Sequence, residues 1–264
     1  MRRLILLMAT MAAGLVAASG VAYALSVQCD GTNDRDPDPG QCRGTDQNDV
    51  ITGTAQRDVI FALAGFDQVD AGGGQDELNG GSSNDNLVGG NDRDTYNGGG
   101  GSDFLHEGDP AHNPLSGNDV MNGGGADDFI IGNMGNDIIR GQEGNDRDEG
   151  AFFAILFGEE GDDEIYGGPG EDGLAGQQGT DKHFGGRNAD FIDAVSQDEF
   201  GTQDLVDCGS GFDTAVVREP EDIVRANCED RTVVTTVAAA PGTTNDQEQQ
   251  QQQEAFVQEN GLQP

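Results

Sequence analysis

A period of nine residues constrains this chain more than any other feature. Residues 71–106 read AGGGQDELN, GGSSNDNLV, GGNDRDTYN and GGGGSDFLH, with small residues opening each nonad, aspartate at the sixth place and an apolar residue at the eighth. A unit this short cannot bury a core alone and gains stability only by stacking, so the repeat predicts a solenoid. The glycine-rich half suits a tight turn, because a residue without Cβ reaches positive φ. The last three residues suit a strand, whose side chains alternate in direction. Leu78, Leu87, Tyr96 and Leu105 are thereby predicted to line a thin interior. With two nonads to a coil, residues eighteen apart stack, Asp76 over Asp94 and Asp85 over Asp103. Stacked carboxylates repel unless a cation lies between them. Carboxylate and carbonyl oxygens together make the hard-oxygen set that calcium prefers.

The nonads resemble the GGxGxDxUx repeats of the RTX, or haemolysin-type, calcium-binding proteins. The resemblance covers residues 44–216 and implies an all-β fold, a right-handed parallel β-roll (a β-solenoid) with Ca2+ held in the turns between coils. Transferred to the sixth places, it implies as metal ligands Asp67, Asp76, Asp85, Asp94, Asp103, Asp119, Asp128, Asp137, Asp146, Asp163, Asp172, Asp181 and Asp190. The opening nonads, GTDQNDVIT and GTAQRDVIF, depart from the pattern: Gln47 and Gln56 stand where the fourth-place glycine belongs. Asp49 and Asp58 keep the strand signal and are left outside the ligand set. Aspartate pairs eighteen apart within unbroken blocks give an expectation of about nine sites, with more if coils stack across the interruptions.

Three interruptions break the register. The seven residues EGDPAHN, 107–113, read as a surface loop, and residues 150–157, GAFFAILF, as a hydrophobic plug or a docking patch. Residues 194–207 show no turn signal of the repeat type before the closing nonad CGSGFDTAV with Asp213. Asp148 occupies an inward place, where the sheet is expected to weaken. His183, also inward, is expected to fill the core and not to bind metal. His106 and His112 lie near acids without a third ligand at matching spacing.

Residues 1–24 combine Arg2 and Arg3, an apolar run and an AxA-like site, the pattern of a secretory signal peptide. No other stretch is apolar enough to span a bilayer. Export and an even cysteine number favour disulfides. Cys29 with Cys42 and Cys208 with Cys228 each close a short loop at one end of the repeats. That divides the chain into an N-terminal cap over 25–43, the roll over 44–216, a C-terminal cap over 217–228 and a disordered glutamine-rich tail over 229–264. Zinc is the competing use of the cysteines, without a CxxC pair or a histidine partner to support it.

A net charge of −36 argues against nucleic acid and anionic membranes as partners. Neither GxSxG nor HExxH occurs, and the repeats begin too near the expected mature N-terminus for a catalytic domain before them. The expectation is a secreted, extracellular, non-enzymatic module that binds calcium, with any protein or polysaccharide partner left open. Alternatives are a carbohydrate- or surface-binding solenoid, or the remnant of an RTX enzyme or toxin. One inward residue per nonad is a small core against the entropy of ordering nine residues, so metal binding is expected to drive folding.

Overall fold

The computed structural model describes residues 25–29, 41–108, 117–147, 155–195, 202–218 and 221–233. Within them the regular elements are strands, dealt alternately in chain order to an eleven-stranded and a ten-stranded sheet. Neighbouring strands pair in parallel, with partners eighteen residues apart where the repeats are unbroken: Ile60 opposes Leu78, and Leu78 opposes Tyr96. Each coil therefore contributes one strand to each sheet and two turns between them. This is the expected parallel β-roll.

The eighth-place side chains fill the space between the sheets. Ile51, Val69, Leu87, Leu105, Ile130, Leu156, Leu174 and Ile192 descend one sheet, and Ile60, Leu78, Tyr96, Met121, Ile139, Ile165, His183 and Val206 the other. The interior is one side chain deep from each face. His183 is buried there between Ile165 and Val206, and burial holds its imidazole down to about 4, hence neutral.

The coils stack across all three interruptions, which changes the expected boundaries. The strand Val120–Gly125 pairs directly with Thr95–Gly100, so the register is recovered after the seven extra residues; Glu107, expected in a surface loop, is buried, and residues 109–116, His112 among them, lie outside the described residues. In the second interruption, Leu156 opposes Ile130 on one side and Leu174 on the other. The sheet continues because this leucine takes the inward place that the nonad count gave to Asp148. Asp148 and residues 150–154 lie outside the described residues. A strand, Leu205–Ser210, begins within the third interruption, with Val206 fully buried.

The stack also runs past residues 44 and 216. Leu25–Gln28 pairs with Asp49–Thr54, and Asp230–Val233 with Thr214–Val217. Residues 230–233, assigned to the tail by composition, extend the eleven-stranded sheet. The disulfides are Cys29–Cys42 and Cys208–Cys228, one near each end of the roll. Among the described residues no helix is long and apolar enough to cross a membrane. The signal segment and residues 234–264 lie outside the described residues.

Phe104 and Phe129 are not successive nonads, yet they oppose each other on adjacent strands with ring centroids 5.4 Å apart. With Ile131, Ile155, Phe157 and Ala175 they form a second buried cluster. On the other sheet Tyr166 and Phe184 stack face to face at 4.7 Å, with the Arg140 guanidinium over the tyrosine ring. These rings cover one another or are buried.

Candidate metal centres

The turn-to-strand junctions place the sixth-place aspartates in two continuous columns. In each, the backbone N–H of one aspartate donates to Oδ1 of the aspartate one coil further on. The bonds are 2.7–3.0 Å from Asp49 through Asp213 in one column and from Asp58 through Asp204 in the other. The columns cross every interruption: Asp94 bonds Asp119 over 25 residues, Asp137 bonds Asp163 over 26 and Asp181 bonds Asp204 over 23. All thirteen predicted ligands, from Asp67 to Asp190, stand in these columns. Asp204 and Asp222 stand there too and were missed, because the nonads around them lack the glycine signature.

The second carboxylate oxygen defines the chemistry. Oδ2 is buried and has no hydrogen-bond partner at Asp67, Asp76, Asp85, Asp94, Asp103, Asp119, Asp128, Asp137, Asp146, Asp163, Asp172, Asp190 and Asp213. Where the first place of the nonad is glycine, Oδ2 faces that glycine, and at several of these turns a carbonyl from the next coil joins it. A Cβ placed on Gly80 would lie 2.5 Å from Asp85 Oδ2 and 2.6 Å from the Gly98 carbonyl oxygen. The same pair of oxygens recurs over Gly98, from Asp103 and Gly123, and over Gly167, from Asp172 and Gly185. Buried acceptors converging without a donor are costly unless a cation or a proton lies among them.

Burial dominates the electrostatics. It pushes the Asp85 carboxyl up to about 8, with the Asp67 N–H opposing and the Asp103 and Asp67 charges adding. Asp128, flanked by Asp103 and Asp146, is raised to about 10. Towards the N-terminus the rise is smaller, to about 6 at Asp67 and Asp76. Among the described residues no three His, Cys, Asp or Glu side chains converge as a metal cluster. A cation at these turns must therefore take most of its oxygens from peptide carbonyls. Calcium accepts such a set, with six to eight oxygen ligands in flexible geometry, whereas zinc does not.

The opening turns are built differently. At Asp49, Oδ2 accepts the Thr45 N–H at 2.5 Å and the Thr45 hydroxyl at 2.9 Å. At Asp58 the Thr54 N–H and hydroxyl do the same at 2.7 and 3.0 Å. Protein donors thus occupy the oxygens that elsewhere have none, which is the physical reason these turns stand apart. Near the other end the Arg218 N–H donates to Asp222 Oδ2 at 2.6 Å. Thr54→Val is expected to cost about 1 kcal/mol in urea melts at saturating calcium and to leave the number of bound calcium ions unchanged. A fall in ion number in equilibrium dialysis would contradict this division.

A further ladder, at the fifth place, was not anticipated. Oδ1 of Asn84, Asn118, Asn136 and Asp162 accepts the N–H of the residue one coil on, at Ser102, Asn136, Asp162 and Thr180. It runs opposite in sense to the aspartate columns, so each turn is clamped in both directions. Asn or Asp recurring at the fifth place was the available signal.

The family model described as the RTX calcium-binding nonapeptide repeat matches four segments, residues 43–78, 70–105, 115–148 and 151–182. No curated protein sequence matches the chain.

Proposed function

Across residues 43–182 the chain belongs to the RTX calcium-binding nonapeptide repeat family, and from that premise we propose that it is a secreted module whose roll folds as several calcium ions fill its turns. The ligands in this reading are the sixth-place aspartates from Asp67 to Asp190, each with peptide carbonyls of its own and the adjacent coil. The observation behind it is the row of buried Oδ2 atoms without donors, set against turns at Asp49 and Asp58 where threonine supplies those donors. Calcium would replace the protons that burial otherwise holds on these carboxyl groups, and would fix turns whose backbone is costly to order.

Two disulfides fit an oxidising compartment, and the pattern of residues 1–24 fits export. Extracellular calcium modules bind at roughly 10⁻⁴ to 10⁻³ M, so such a chain would remain unfolded in a calcium-poor cytosol and fold outside it. Its role is then structural or in interaction, with the ion as part of the fold and not as a catalyst.

Circular dichroism of the chain lacking residues 1–24, titrated with calcium and in parallel with magnesium, tests this. The expected result is a cooperative gain of β structure with calcium alone, since magnesium demands stricter octahedral geometry and keeps its waters. Full β structure in EDTA would remove the proposal.

A further inference from the structure

Glu107 directly follows the strand Phe104–His106, where a glycine follows the equivalent strand one coil earlier. That glycine, Gly89, leaves room for Asp94 Oδ2, which a Cβ there would approach to 2.5 Å. At the Asp119 turn the chain instead brings a second carboxylate. Glu107 is 0% exposed, and neither Oε1 nor Oε2 has a hydrogen-bond partner of normal geometry. Its carboxyl lies within hydrogen-bonding reach of the Asp119 carboxyl, with the Asp137 charge adding to the repulsion and a Met134 backbone hydrogen bond opposing it. Asp119 commits Oδ1 to the Asp94 N–H at 2.8 Å and has no donor at Oδ2. Arg93 contributes positive charge to Asp119 from a distance.

Two buried carboxyl groups thus face one another with the Met134 backbone set against their repulsion, which calls for a cation or a shared proton. We propose that Glu107 and Asp119 together form a two-carboxylate calcium site, tighter than the one-carboxylate turns elsewhere and the first on its column to fill. Affinity in oxygen sites rises with the number of charged ligands. The pair sits near the middle of the roll, where the first interruption enters. Glu107 lies between the matched segments 70–105 and 115–148, so the repeat pattern does not supply it. The proposal rests on the reading of Asp119 as a calcium ligand.

Calcium binding to the full chain, measured by flow dialysis, tests it with Glu107→Gln and the outward, exposed Asp70→Asn as control. Terbium gives a local probe, because the buried Tyr96 ring lies beside Asp94, Asp119 and Glu107 and can sensitise an ion held there. Glu107→Gln is expected to raise the calcium concentration that half-fills the first site by about tenfold or more, and to remove the early tyrosine-sensitised terbium emission. Tyr96→Phe should also remove that emission while Asp70→Asn keeps it. Under the shared-proton alternative the glutamine amide replaces the proton donor, and unchanged calcium and terbium curves would overturn the site. Should Glu107→Gln fail to fold, Glu107→Asp retains the charge but withdraws it by one methylene; an unweakened first phase in that variant would overturn the site equally. Failure of the parent chain to take up calcium at all would instead defeat the underlying function.

Discussion

In chelator, lowering the pH from about 8 to about 5 is expected to raise the β content of the protein, whereas in saturating calcium the same change is expected to lower it. The sign follows from the columns. Burial raises the folded-state carboxyls of Asp85, Asp94, Asp137, Asp146, Asp163 and Asp190 to about 8, and those of Asp103 and Asp172 to about 7, from an ordinary 3.8. Between those values the folded chain binds more protons than the unfolded one. Metal-free stability is therefore fully present below about pH 4 and is lost as pH rises through the folded values. Each group contributes at most about 1.4 kcal/mol per pH unit in its window. His106 and His183 act the other way, since burial lowers both to about 4 from 6.5 and their stabilisation is lost as pH falls through that range. Two histidines do not outweigh two columns of aspartates. With calcium present the carboxylates are wanted ionised, and protons compete with the metal. Far-ultraviolet circular dichroism against pH, in EDTA and in calcium, reads both arms. Parallel curves would show that the buried aspartates are not the shared target of proton and ion.

Gly161→Ala is expected to cost more than about 4 kcal/mol, or to prevent folding even in calcium. Gly161 sits at a fourth place with φ +147°, and a Cβ there would lie 1.5 Å from the Gly135 carbonyl oxygen. Gly179 approaches the Gly161 carbonyl in the same way, at 1.7 Å. Positive φ alone does not explain the requirement, because Ala126 and Asn188 adopt φ +78° at other fourth places with side chains attached. The backbone of the neighbouring coil decides it: the obstacle is a peptide group fixed by the sheet, which cannot swing aside. Gly100→Ala is the control, at a third place with nothing within 4 Å of the added carbon, and is expected to change stability by less than about 1 kcal/mol. Urea melts at fixed calcium measure the difference. Similar midpoints for the two variants would mean that coil spacing is looser than the geometry implies.

The repeat made the coil, the inward row and most of both columns legible, because a nine-residue period with alternating strand residues leaves one way to place Leu78, Leu87 and Leu105. It also separated the Gln47 and Gln56 turns from the rest. The threonine donors that explain the separation were not legible, since an i to i+4 bond from Thr45 or Thr54 to the aspartate depends on the turn conformation. Asp204 and Leu156 were missed for a related reason. Both lie in interruptions where the local pattern is absent, and only pairing with the coils on either side places them.

What the sequence determined by itself was the set of local choices that repeat every nine residues: glycine where the backbone turns, aspartate where turn meets strand, one apolar residue inward, and cysteines at the two ends. These depend on residues close in the chain, so the period displays them. Only the tertiary structure decided how the chain closes across its interruptions, because a looped-out segment of any composition is compatible with the next coil if hydrogen bonding and burial recover the register. It alone brought Glu107 to Asp119 across the first of them, and left Asp119 Oδ2 buried beside the Glu107 carboxyl. Contacts between residues separated by an insertion of arbitrary length leave no period to read.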